Sequence, residues 1–205
     1  MYTIHGMIEV EGACKMPEHM LTDDECKMLL VIARQALEAG VRKVAIPVLE
    51  LDKLPLALRE NGVTFVTLTK QGALRGCVGA LEPYQSLAED VQEHAVAAAL
   101  HDFRFRPIQP AELAEIEIEV SRLTPAIRLN YTNPQDLIQH LRPGIDGVIL
   151  RDGFKRATFL PQVWEKLPDA EQFLEHLCMK MGSPADLWRH KKLDVMVYQV
   201  EEFQE

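Results

Sequence analysis

No stretch of this sequence approaches the roughly 18 consecutive apolar residues of a membrane-spanning helix, so no membrane association is expected. The opening residues, M-Y-T-I-H-G-M-I-E-V-E-G, carry neither a basic cluster nor an unbroken apolar run. A signal peptide is therefore not expected, and the protein reads as cytoplasmic. Cysteine is scarce and scattered: Cys14, Cys26, Cys77 and Cys178 form no C-x-x-C pair. Neither a disulfide framework nor a zinc ribbon is expected, and no metal site is assigned. Basic charge is also short, with 22 Lys and Arg against 31 Asp and Glu and a formal charge of −9. That balance disfavours nucleic acid as a partner. G-x-S-x-G, the P-loop and G-x-G-x-x-G are missing, and no cofactor is expected. No internal repeat with a period of roughly 20–50 residues occurs either, which sets solenoids aside.

What is present suits one domain. The 205 residues, 47% hydrophobic and 26% charged, have ordinary globular composition. Residues 1–20 lack periodicity and read as an N-terminal extension; residues 21–205 read as a single domain, with room for two lobes. T-D-D-E at 22–25 is a capping box, followed by helix-spaced Leu29, Ile32, Ala33, Ala36 and Leu37 up to Gly40. A connector or short helix fills 47–59. Val63–Thr69 is rich in β-branched residues and predicts a strand, with a turn at 70–73 and a returning strand at 74–80. Ser86 and Glu89 form a second capping box, opening a helix that ends near His101.

Beyond it, D-F-R-F-R-P-I-Q-P predicts a loop, and Ile116, Ile118 and Val120 alternate with glutamates as a strand. A short helix follows at 136–141, then a hairpin of 147–150 and 157–160 turning at Asp152-Gly153. A helix at 168–181 and a last strand at 193–200 complete the reading. Paired strands with helices irregularly interposed predict an α+β fold with a mixed, mostly antiparallel sheet.

The chemistry-bearing stretch is L-R-G-C-V-G-A at 74–80. Strand alternation predicts that Leu74, Gly76, Val78 and Ala80 face the core, with Arg75 and Cys77 side by side on the other face. A guanidinium beside a thiol favours the thiolate. Gly76 and Gly79 would let a ligand or another backbone come close. Glu82, five residues past Cys77, could supply an acid or base. His94 and His101 are spaced two helical turns apart and would share a face. Asp102, Arg104 and Arg106 crowd the loop after that helix, where the arginines could receive a carboxylate or phosphate, or simply pair with Asp102. Trp164 and Trp188 read as packing residues.

L-R-G-C-V-G at 74–79 resembles the signature hexapeptide of the AMMECR family, called protein A of the AmmeMemoRadiSam system in bacteria and archaea. G-V-T-F-V-T-L at 62–68, A-x-x-A-A-L-H-D-F-R-F at 95–105 and S-R-L-T-P at 121–125 also resemble family patterns. So do G-I-D-G-V-I-L at 144–150, F-L-P-Q-V at 159–163 and L-C-M-K-M-G at 177–182. In the loop after the second helix, Phe103 and Arg106 stand where the family pattern has prolines. The resemblance implies two unequal lobes with a cleft holding the L-R-G-C strand. It also implies a pathway shared with Memo-like and radical S-adenosylmethionine proteins.

Two functions follow as expectations. In the first, Cys77 is a thiolate nucleophile acting on a small acyl, amide or modified-peptide substrate. Glu82, His94 and His101 would then move protons, and Arg75, Gly76, Gly79, Asp102 and Arg104 would bind the substrate. In the second, the chain is a non-catalytic partner-binding or substrate-presenting module of the same system.

Overall fold

The computed structural model describes residues 20–205. The expected extension at 1–20, apart from Met20, and Cys14 with it, lies outside the described residues. The fold is α+β, with two four-stranded antiparallel sheets.

Helix α1 (Asp23–Arg42) starts at the expected capping box: Thr22 accepts from the Glu25 amide while Glu25 reaches back to Thr22. Its apolar face, Leu29, Ile32, Ala33, Ala36 and Leu37, is buried. Helix α2 (Leu56–Arg59) is one turn inside the expected connector. Helix α3 (Leu87–Leu100) repeats the capping-box start at Ser86 and Glu89. Alanines at 95, 98 and 99 thin its inner face, so it sits close on the first sheet.

That sheet is ordered β2-β1-β3-β8, with β1 at Val63–Lys70, β2 at Ala73–Gly79, β3 at Ile116–Leu123 and β8 at Val200–Gln204. Val66, Leu68, Ile116, Ile118 and Val120 join α1 and α3 in one core. Burying these side chains stabilises the fold by about 1.5–3 kcal/mol each, before chain entropy is counted.

The second sheet is ordered β4-β7-β5-β6, with β4 at Ile127–Arg128, β5 at Gly147–Asp152, β6 at Lys155–Phe159 and β7 at Asp194–Tyr198. Helices α4 (Pro134–His140), α5 (Ala170–Lys180) and α6 (Leu187–His190) accompany it. Trp164 stacks on Phe173 with ring centroids 3.7 Å apart, and Trp188 is buried in the same core. A third, smaller core of Val63, Leu123, Ile149 and Tyr198 lies where the sheets meet.

The chain passes between the sheets twice, from β3 to β4 and from β7 to β8, and the two passages are bonded together. The Thr124 amide donates to the Gln199 carbonyl at 2.9 Å, and the Gln199 amide donates to Thr124 Oγ1 at 2.8 Å. The single strand expected at 193–200 is thus two strands. Gln199 is the corner, and residues 200–204 pair with β3 instead of continuing β7. Among the described residues, no helix is long and apolar enough to cross a membrane.

Candidate functional site

β2 is an edge strand, so one row of its backbone groups has no neighbouring strand. At Cys77 the loop after α3 takes that role. The Cys77 amide donates to Asp102 Oδ2 at 2.9 Å, and Arg104 Nη2 donates to the Cys77 carbonyl at 3.0 Å. Arg104 also grips Asp102 through Nε to Oδ1 at 2.9 Å and Nη2 to Oδ2 at 2.6 Å. Asp102 is buried. The Arg104 hydrogen bonds hold its carboxyl well below the usual carboxylate range, outweighing burial, and the amides of Cys77 and Arg104 add to the effect. Arg104 in turn keeps its proton above the usual arginine range, through Asp102 first and then the nearby Cys77. The expected Asp102–Arg104 pairing is present, but its main object is the backbone of the signature strand.

The Cys77 thiol is half-buried, and the Thr67 hydroxyl donates to it at 3.4 Å. Arg75 is elsewhere. The β1–β2 register pairs Leu68 with Gly76 but Thr69 with Leu74, leaving Arg75 as the extra residue of a β-bulge. Alternation through 74–77 therefore fails. Leu74 follows Thr69 to the outer face and is 44% exposed instead of packing in the core. Arg75 donates to both Glu112 oxygens at 3.1 Å and to the Arg106 carbonyl at 2.8 Å. That bidentate contact, followed by the Gln109 amide, lowers the Glu112 pKa. The guanidinium near Cys77 belongs to Arg104, not Arg75.

The glycines answer to packing. A Cβ on Gly76 would stand 2.1 Å from the Ala98 carbonyl oxygen of α3, and one on Gly79 would stand 2.4 Å from the Phe65 ring. Close approach by a backbone was one expected role for Gly76, and α3 is that backbone. At Gly79 the position where a ligand was expected to come close is taken by the Phe65 ring and the Thr64 carbonyl.

The remaining candidates do not converge on the thiol. His94 is buried, with Nδ1 3.1 Å from Asp90 Oδ2. The same oxygen accepts from the Thr64 amide at 2.7 Å and the Thr64 hydroxyl at 2.6 Å, while Asp90 Oδ1 has no protein partner. His101 is the exposed C-cap of α3, whereas His94 is buried, so the two histidines sit in different surroundings. Glu82 pairs with Arg156 on β6, at the rim of a cavity of about 520 Å³ between the sheets. Residues 74–79 do not line this cavity. Strand and helix periodicity had no means of finding it, because its walls come from segments far apart in sequence. Among the described residues no cluster of three or more His, Cys, Asp or Glu is arranged to hold a metal ion.

The model of the family described as AMMECR1 matches residues 30–203. A protein of Methanothermobacter thermautotrophicus is 40% identical over 189 residues, spanning 90% of this chain and 96% of the relative. One from Methanopyrus kandleri is 37% identical over 198 residues, spanning 90% of each chain. The crystal structure of an uncharacterized Pyrococcus horikoshii protein is similar with a TM-score of 0.73 at 31% identity, covering 90% of this chain and 93% of that one.

Proposed function

The chain belongs to the AMMECR1 family, and on that footing we propose that it is a substrate-presenting module, not an enzyme with Cys77 as nucleophile. The observation that carries this reading is the commitment of the polar groups around the thiol. Asp102 and Arg104 hold each other and both backbone groups of Cys77. Arg75 is bound to Glu112, His94 to Asp90 and Glu82 to Arg156. A general base is one of the ways a nucleophilic cysteine is activated, and here the hydrogen-bond partner of the thiol is the hydroxyl of Thr67, not a base.

The presenting surface is the loop that holds Cys77. Phe103 is 96% exposed at its tip, with His101, Arg104 and Arg106 exposed around it. An exposed aromatic on an anchored loop, flanked by arginines, suits an apolar pocket with an acidic rim. The family resemblance implies a pathway shared with Memo-like and radical S-adenosylmethionine proteins, which makes them the partners to test. The test is titration of such a partner against the wild type, Phe103→Ala and Cys77→Ser. Phe103→Ala should weaken binding by about tenfold, and Cys77→Ser should leave binding and downstream product formation intact. Loss of product with Cys77→Ser while binding persists would overturn the reading.

One observation favours the thiol-enzyme reading. Cys77 is half-buried in polar company, with Arg104 near its sulfur. Under that reading the substrate carbonyl or amide enters beside Thr67, and Cys77 is alkylated at neutral pH faster than Cys26.

A further inference from the structure

The signature strand does not account for the cavity between the sheets. Its walls include apolar side chains of Leu81, Ile149 and Met196, and three arginines, in a chain whose formal charge is −9. Arg122 is the deepest of the three; it is buried and paired with Glu201. Arg151 and Arg156 stand directly opposite each other on β5 and β6. Like charges at facing positions destabilise a sheet, so this pairing works against the fold unless an anion lies between them. Asp194 faces Arg151 from β7 but is bound to Arg128 at 2.9 Å, and Arg151 makes no ion pair with a described residue.

Arg156 is covered by Glu82, whose own side chain is 70% exposed. Glu82 belongs to the irregular segment that follows β2. It is therefore a carboxylate brought from the first sheet to an arginine of the second. Leu81, Glu82, Arg156 and Thr158 line both the main cavity and an adjoining hollow of about 360 Å³ that reaches Lys180. The Glu82–Arg156 pair is thus common to the walls of both.

We propose that this inter-sheet cavity binds a small organic anion, a carboxylate or phosphate on an apolar body, through Arg151 and Arg156, and that the ligand displaces Glu82. Two adjacent guanidiniums offer the planar forks that match such a group. The exchange replaces one carboxylate on Arg156 with another anion, so a carboxylate ligand keeps the charge there unchanged and a phosphate adds up to about one further negative charge for Arg151 to meet. The volume lies within the usual range for small-ligand pockets, roughly 300–1,000 Å³. This assignment rests on the substrate-presenting reading only in calling the ligand a substrate; the site itself stands on the arginine geometry.

The test is calorimetric titration with inorganic phosphate, benzoate and phenyl phosphate at low salt, on proteins whose fold is checked by circular dichroism. Phenyl phosphate should bind more tightly than inorganic phosphate, because the apolar walls contribute. Binding of benzoate and of phenyl phosphate distinguishes a carboxylate site from a phosphate site, and either supports the proposal. Arg151→Gln with Arg156→Gln should weaken binding by about tenfold or more. Glu82→Gln should tighten it, and Arg42→Gln, on α1 and outside both hollows, should change nothing. Binding indifferent to the double arginine variant, or no binding of any probe even to Glu82→Gln, would overturn the proposal. Either failure leaves the Cys77→Ser test untouched, so the two readings fail separately.

Discussion

The carboxylate of Asp102 completes the hydrogen bonding of Cys77: the amide of one donates to the side chain of the other at 2.9 Å, across 25 residues of sequence. Arg104 closes the arrangement by bonding both the Cys77 carbonyl and Asp102. The loop thereby does for the edge of β2 what another strand would do. The chemistry of this site is inseparable from its role in holding the sheet.

Asp102→Ala should therefore destabilise the protein by about 2–3 kcal/mol, because it removes charged hydrogen bonds and leaves the Cys77 amide unpaired. Cys77→Ser, which keeps an acceptor for the Thr67 hydroxyl, should cost less than about 1.5 kcal/mol. Urea denaturation of both variants checks the order.

Asp102 also sets a pH dependence. Its folded pKa lies below the unfolded value of about 3.9, with the Arg104 hydrogen bonds as the chief cause. The stability it contributes is therefore complete above the unfolded pKa and is lost as pH falls through the depressed folded one. Between about pH 4 and pH 2, the stability of Asp102→Asn should fall less steeply than that of the wild type, as read from urea midpoints.

Gly76→Ala should cost about 3 kcal/mol, at the upper end for overpacking, since its Cβ would meet a helix carbonyl that cannot rotate away. The melting temperature measures this. A variant as stable as the wild type would mean that α3 can lift from β2.

Thiol reactivity should follow Arg104 and not Arg75. Arg104→Gln should slow iodoacetamide labelling of Cys77 several-fold, while Arg75→Gln should leave it unchanged. Cys178 should label last in the native state, because burial shields it and raises its pKa. Peptide mass spectrometry of timed samples reads all three rates.

Much of this architecture was legible in the residues. Both capping boxes, the amphipathic face of α1 and the hairpin turn at 70–73 are local patterns, and local patterns are what periodicity reads. What was not legible has long-range causes. Nothing between 74 and 77 marks the bulge, which arises from how β2 meets Leu68 and Thr69 on β1. Without it Arg75 would face the same way as Cys77, which is why alternation assigned the wrong arginine to the thiol. Gly79 looked like space because its filler, Phe65, lies on the neighbouring strand. The corner at Gln199 was hidden in an unbroken V-Y-Q-V-E-E, since only pairing with β3 separates the two strands.

That corner has a consequence for how the protein is made. β3 gains its neighbour β8 from residues 200–204, so the first sheet, begun at Val63, stays open along one side until the far end of the described chain has been synthesised. Until then Arg122, whose carboxylate partner is Glu201, has no counter-charge from that strand. A nascent chain halted before Val200 should remain sensitive to proteases and sticky along β3. Before those residues emerge, assembly can include the helices, the β1–β2–β3 ladder and the second sheet, whose strands all precede Val200, and β8 then completes the first sheet.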